Sequence, residues 1–554
     1  MRRLRTAGVL LVAVGLLAAG CSSSSGSSNT SAASGQTVTI SNENGALWTC
    51  GFNPLLGSDQ LLSFGFVYEP LVYVNPLQNG KTTPMLATSY AWGAGNKSLT
   101  FTIRNGVKWN DGQPMSAADV VYTFNLMKKY PALDLPGVWS VLSSVTQAGA
   151  NQVTMNFKAP AVPDFYYIAD QTPIMPQHIW SKIANPVTYA DPHPVGTGPY
   201  TVNPCSAQNV TYTANPHYWQ PGLPKIKKVE YPAFTSNNTA NDQLANGQAQ
   251  WGSQYIPNIN AFYTAKSPDF HYWFPPTVNV SVVPNLTNPL LANVKVREAM
   301  SYAIDRAKVS SIGESTYEPP ANQAGIVTPT FASWLDTSLA NQYHYTYDVT
   351  KAKQILASAG FKLGSDGIMA NSKGQKLSFP IINIGGYSDW VASVQVIQQD
   401  FKAVGIQITP DNLSNTAFTA ALYSGHYQLA YYDQQSFGPG PYYELRNWLL
   451  STNSAPIGQT AASNYERYSN PATDKLINSF AATTSTTEQH TIVSDLQKVM
   501  LSELPIIPVV EAVDWYQYST QFHSGWPTPG NPYAQPSAYS FPDMEQVLLH
   551  LQPK

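Results

Sequence analysis

The chain has 554 residues, with 30 Lys+Arg against 33 Asp+Glu and a formal net charge of -3. That balance offers no electrostatic case for nucleic acid. Charged residues make up 11%, against roughly 25% in ordinary soluble proteins, while 43% hydrophobic and 12% aromatic content fills large cores and excludes a disordered chain.

Arg2, Arg3 and Arg5 form a basic start, and residues 7–19 are an apolar run too short for a comfortable membrane span. Leu17-Ala-Ala-Gly-Cys21 resembles a bacterial lipobox, with cleavage before Cys21 and lipid on its thiol. Several acyl chains at ~0.8 kcal/mol per buried CH₂ give stable anchoring. Residues 22–35 are only Ser, Gly, Asn, Thr and Ala, the composition of a flexible tether. In an exported chain the two remaining thiols, Cys50 and Cys205, are expected to pair. That bridge closes a loop worth roughly 4–5 kcal/mol in the loop-entropy model.

Thr37-Val-Thr-Ile40 reads as the first strand. Leu99, Phe101 and Ile103 alternate with Thr100, Thr102 and Arg104, the pattern of a strand with one buried face. Asn105-Gly106 and Asn110-Asp111-Gly112 mark turns. Ser116 followed by Asp119 is close to a capping box, and Val120, Val121, Phe124 and Met127 continue as a helical stripe. Residues 153–157, 229–231 and 279–283 read as strands, and 238–247 as a helix. Gly196-Thr-Gly198 is a turn rather than a phosphate cradle, since no Lys-Ser/Thr follows. Residues 296–306 and 349–359 are helical. Strand and helix then alternate over 379–384, 391–404 and 406–408, as in an α/β lobe. Residues 427–432 form a further strand, 487–501 a long helix and 505–510 a last strand.

Enzyme signatures are absent from the sequence. There is no His-Glu-x-x-His, no Cys-x-x-Cys and no Gly-x-Ser-x-Gly. No cofactor or metal is expected.

Six motifs in order carry a resemblance. They are residues 103–121, Pro194-Val-Gly-Thr-Gly-Pro-Tyr200, Asn215-Pro-His-Tyr-Trp219, residues 294–306, residues 347–361 and Leu504-Pro-Ile-Ile-Pro508. Together they are similar to the extracellular solute-binding proteins of peptide/nickel-type ABC importers. The resemblance implies an α/β, periplasmic-binding-protein-like fold of type II. Two lobes with mixed sheets are joined by two crossing segments, and one lobe carries an extra subdomain. It divides the chain into a lipoprotein signal peptide (1–20) and a lipid-anchored linker (21–36). The first lobe's core is 37–65, 190–285 and 508–554, its extra subdomain 66–189, and the second lobe 286–507, with Asn285-Leu-Thr-Asn-Pro289 as a crossing.

The resemblance also implies a ligand held between the lobes. In peptide-binding members a carboxylate after a strand of the far lobe holds the peptide's ammonium. Here Phe437 stands at that place, and Asp433 lies four residues earlier. Tyr432, Asp433, Gln434, Ser436 and Phe437 are therefore candidates for ligand contact, a set that suits sugars and uncharged amides as well as peptides. Trp48, Tyr68, Trp251, Tyr255, Trp273, Tyr387, Trp390 and Trp515 join them, because they lie near predicted strand ends where open α/β sheets place ligands. The expected partners are a peptide or other small polar ligand, an ABC permease and, through the lipid, the membrane; a monomer is expected. The alternatives are an oligosaccharide-binding lipoprotein and, in another class, a secreted hydrolase.

Overall fold

The computed structural model describes residues 35–42, 46–235, 237–434 and 438–554, and the backbone alone of Asn237. The expected signal peptide, Cys21, and the linker up to residue 34 lie outside the described residues, as do Ser436 and Phe437.

The chain opens with β1 (Thr37–Ser41), whose Val38 and Ile40 are fully buried. The loop after it carries Cys50, which is bridged to Cys205. Next comes a subdomain sheet of β2 (Ala87–Trp92), β3 (Ser98–Ile103), β4 (Leu142–Gly149) and β5 (Gln152–Phe157), antiparallel in the order β2-β3-β5-β4. β3 buries Leu99, Phe101 and Ile103, as the alternation requires. Helix α1 (Ala117–Lys129) packs on β4 and β5 with Val120, Phe124 and Met127. Its capping box is formed: the Ser116 amide donates to Asp119 Oδ2 at 2.8 Å. Asp119 Oδ1 accepts from the Gln177 amide at 3.0 Å, which ties the next segment to the same helix end.

The turn at Gly196 and Gly198 leads into β6 (Tyr200–Cys205). A Cβ on Gly196 would sit 1.8 Å from the Val67 carbonyl oxygen, so only glycine lets the two backbones touch. The Gly198 amide uses that approach to donate to Val67 O at 2.8 Å. After β6 come β7 (Asn209–Ala214), β8 (Lys228–Pro232), β9 (Trp251–Gly252) and β10 (Phe270–Tyr272).

The second sheet is built from β11 (Pro276–Pro284), β12 (Ser378–Ile384), β13 (Gln407–Leu413), β14 (Leu429–Asp433) and β15 (Ile507–Val513). Its order is β13-β12-β14-β11-β15. Strand β12 runs parallel to β13 and β14, while β14 and β15 run antiparallel to β11. Finally β16 (Gln517–Ser519) rejoins the first sheet, whose order is β10-β16-β9-β1-β8-β7-β6.

The chain thus changes sheets at 273–275 and again at 514–516. The two crossings are hydrogen-bonded to each other: Trp273 N donates to Tyr516 O at 3.1 Å, and Asp514 N to Pro275 O at 2.9 Å. This corrects the expected crossings. β11 is buried along its whole length between β14 and β15, so 276–284 belongs with the second sheet, and so does β15. Residues 285–289 are instead a turn inside that lobe, where Asn285 Nδ2 donates to Gly425 O and Tyr427 O.

Helix α2 (Val294–Ala303) also ends earlier than expected. The Asp305 amide is drawn off to Asp400 Oδ2 at 3.0 Å, and the buried Arg306 guanidinium donates to Pro508 O at 2.8 Å. A continuous helix through 306 would break both bonds. Helix α3 (Ser388–Ala403) follows β12 and covers β12 and β13.

Candidate ligand-binding cleft

The C-terminal ends of β1, β12, β14 and β15 converge where the chain crosses between sheets. Open α/β sheets place ligands at such ends. A cavity of about 780 Å³ lies there, within the range of small-molecule sites. The first lobe contributes Asn42, Thr235, Ser253 to Tyr255, and Tyr539. The second lobe contributes Glu318, residues 386–390 and Asp433, while Thr277, Val278 and residues 512–515 form the floor. A second hollow of about 650 Å³ lies at the other end of the second sheet, lined by the turns around Asn285 and Gln428 and remote from this convergence.

The register explains which side chains meet. Asp433, the last residue of β14, is paired with Val280 of β11. Val513, the last of β15, is paired with Pro276. Asp433 and Asp514 therefore flank β11 near the same end. Asp389 sits in the first turn of α3, directly after β12. Glu318 is delivered by the segment that pairs with β15 through Pro320 and Val510.

Burial sets the electrostatics. It pushes the Asp433 carboxyl up to about 6, with Asp389 adding to the rise. Asp514 is pushed up to about 8 by burial and by Asp543, and one of its oxygens accepts from Gln535 Nε2 at 3.2 Å. Glu318 is held well above the ordinary carboxylate range by burial, then by Glu314, Asp389 and Asp433. Among the described residues its Oε2 has no hydrogen-bond partner. Glu314 stands behind it, raised to about 8 by burial and Asp389, and accepts from Ser393 Oγ at 2.5 Å. Burial also raises Asp389, opposed by amides at the start of α3. Among the described residues, no Lys, Arg or His lines the cavity. Among the described residues, no group of three or more His, Cys, Asp or Glu is placed to hold a metal ion.

Rings form the rest of the wall. Trp515 meets Tyr255 edge-on at 5.4 Å and Phe274 at 4.9 Å. Tyr387 meets Trp390 edge-on at 5.3 Å. The lobes touch beside the cavity. The Tyr255 hydroxyl is 2.9 Å from Ser315 Oγ, and Ile259 N donates to the Tyr317 hydroxyl at 3.0 Å. They touch again at a separate hollow, where the Tyr443 hydroxyl donates to Pro163 O at 2.9 Å.

Of the candidates read from the sequence, Tyr255, Tyr387, Trp390, Asp433 and Trp515 come together on this cavity. The rest that can be placed lie elsewhere. Tyr68 is fully buried and donates to Asp191 Oδ2 at 2.5 Å. Trp251 is fully buried and donates to Pro536 O at 2.8 Å. Trp48 donates to Tyr231 O at 2.8 Å beside the disulfide. Trp273 packs half-buried in the first crossing. Tyr432 points to the other face of β14, against Phe418 and Tyr465, as alternation from Asp433 demands. Gln434 is buried and does not line the cavity; among the described residues its Nε2 has no partner. Glu318, Asp389 and Asp514 were not singled out in the sequence. Asp389 and Asp514 each neighbour a chosen tryptophan, a signal that was available. Glu318 had none, since a contact across about 190 residues of chain places it.

Comparison with known proteins gives four matches. The family model for bacterial extracellular solute-binding proteins, family 5, matches residues 81–456. The glutathione-binding protein GsiB of Salmonella paratyphi A is 26% identical over 452 residues, covering 78% of this chain and 80% of that protein. A periplasmic oligopeptide-binding protein of an oligopeptide ABC transporter from Thermotoga maritima is 26% identical with a TM-score of 0.86, covering 94% of this chain and 99% of that one. A mannohexaose-bound structure of that Thermotoga protein matches with a TM-score of 0.80 at 25% identity, covering 94% and 99% of the two chains.

Proposed function

This chain belongs to the bacterial extracellular solute-binding proteins of family 5, the solute-binding components of peptide-type ABC importers rather than enzymes, and from that premise we propose how it works. The cavity between the lobes captures a peptide or similar small polar solute at equilibrium, with no bond broken. The observation that carries this reading is the convergence of Asp433, Asp389 and the rings of Tyr255, Trp390 and Trp515 on one cavity beside which the lobes touch. Asp433 takes the place of the carboxylate expected at 437 and receives a solute ammonium. The paired crossings at 273–275 and 514–516 act as the hinge, and ligand contacts to both lobes bias it toward closure.

In this reading the closed form, acting as a monomer, docks on a membrane permease, and lipid on Cys21 keeps it there. Among the described residues no helix is long and apolar enough to cross a membrane. Cys21→Ser should move the protein from the membrane fraction to the soluble one; retention would count against the anchor.

A saccharide is the second reading. The ring-lined wall favours it, and the Thermotoga neighbour has been seen with mannohexaose. A thermal-shift screen of residues 35–554 against di- to pentapeptides and di- to tetrasaccharides separates the two. A ligand at about 100 times its Kd adds roughly 2.7 kcal/mol to the folded state. Shifts with peptides support the first reading, shifts with saccharides alone the second, and no shift with either removes both.

A further inference from the structure

The cleft is charged on one side only. Glu318, Asp389, Asp433 and Asp514 line it, and no Lys, Arg or His among the described residues does. Some buried acids away from the cleft answer to donors of the protein itself. Asp170 accepts from Val74 N at 2.8 Å, and Asp543 from the Tyr73 hydroxyl at 2.6 Å. Among the described residues, Glu314, Glu318, Glu466, Glu511 and Glu545 each bury an oxygen that meets no donor, and of these Glu318, 4% exposed, is the one on the cavity wall. A carboxylate oxygen buried without a donor costs free energy unless something else supplies one. The cavity is the open direction.

Resting on the solute-capture reading above, we propose that the solute carries two or more cationic nitrogens, as ammonium or guanidinium groups. Asp389 and Asp433 both raise Glu318, and Asp389 also raises Asp433, so each added negative charge makes the next less favourable. A cation entering among them relieves that repulsion. A neutral sugar supplies hydrogen bonds but leaves the like charges facing one another. An acidic solute such as glutathione adds to them, and no described Lys, Arg or His on the wall receives its carboxylates. At neutral pH Asp433, held near about 6, carries a standing charge, while Asp514, near about 8, keeps its proton until a second cation draws it off. The rings point the same way: Trp390, Tyr387 and Trp515 offer aromatic faces to a desolvated cation. A basic oligopeptide and a linear polyamine share this chemistry. They differ in whether a peptide backbone and a terminal carboxylate must also be housed.

The test is calorimetric titration of residues 35–554 with Lys-Lys-Lys, spermidine, Ala-Ala-Ala, mannotetraose and glutathione, at about 20 and about 200 mM NaCl. Lys-Lys-Lys or spermidine should bind at least about tenfold more tightly than Ala-Ala-Ala, and more weakly at the higher salt. Asp433→Asn and Glu318→Gln should each cost about tenfold for the basic ligand, the scale of a lost charged hydrogen bond. Binding of Lys-Lys-Lys without spermidine assigns the peptide source; the reverse assigns the polyamine. If Ala-Ala-Ala, mannotetraose or glutathione binds as tightly as the basic ligands, the charge inference is overturned and solute capture stands. If none of the five binds and the peptide and saccharide screen is also silent, both fall.

Discussion

The Tyr255–Ser315 contact joins the lobes beside the cavity and gives closure a measurable handle. The hydroxyls are 2.9 Å apart, and both residues are half-buried. A neutral hydrogen bond in such a setting contributes about 1 kcal/mol, which is about fivefold in the closing equilibrium. When the bound protein is mostly closed, that factor passes directly into the apparent Kd. Tyr255→Phe keeps the ring against Trp515 at 5.4 Å and removes only the oxygen. Ser315→Ala removes the other half without touching the cavity wall. Each variant should weaken the tightest ligand of the screen about fivefold, and the double variant also about fivefold, because both delete one shared bond. Calorimetric titration of the three variants reads this directly. A double variant weakened about twenty-five-fold, or an unchanged Ser315→Ala, would refute the claim that this contact carries closure.

Stability should respond to pH in the direction that buried acids dictate. Glu314, Glu511 and Asp514 are each pushed up to about 8 in the folded chain, mainly by burial, from ordinary values near 4. Between pH 4 and 8 the folded state therefore holds more protons than the unfolded one, and stability is lost as pH rises through that window. The ligand-free melting temperature should fall from pH 5 to pH 8; a rise would contradict the assignment. His523, lowered to about 4 by burial, works the other way below its ordinary value of 6.5 and is outnumbered. The Cys50–Cys205 bridge spans a sequence separation of 155. Its removal in a Cys50→Ala/Cys205→Ala chain should cost about 5 kcal/mol by loop entropy, read as a lower urea midpoint of the first lobe; a loss under about 1 kcal/mol would show that other contacts hold that loop.

Local periodicity made much of the scaffold legible. The alternation in β3 and the Ser116–Asp119 box are short-range signals, and both formed as read. The rings Tyr387, Trp390 and Trp515 were legible because they sit two to six residues beyond strand ends. The same rule misplaced Tyr68 and Trp251. A residue near a strand end lies on one of two faces, and the sequence did not say which face was core. The carboxylates were harder. Asp389 and Asp514 were adjacent to chosen rings, but acids are common beside helix starts and strand ends. Glu318 depends on the Pro320–Val510 bridge, a pairing no local pattern announces. The crossings were displaced because Asn285 to Pro289 has turn chemistry, and a turn within a lobe looks the same as one between lobes.

Native mass spectrometry tests solute capture most directly. Residues 35–554 mixed with the tightest ligand of the screen should carry one equivalent, release it chemically unchanged on denaturation, and lose it in Asp433→Asn at matched concentration. A ligand recovered cleaved, or one retained equally by Asp433→Asn, would contradict equilibrium binding in this cleft.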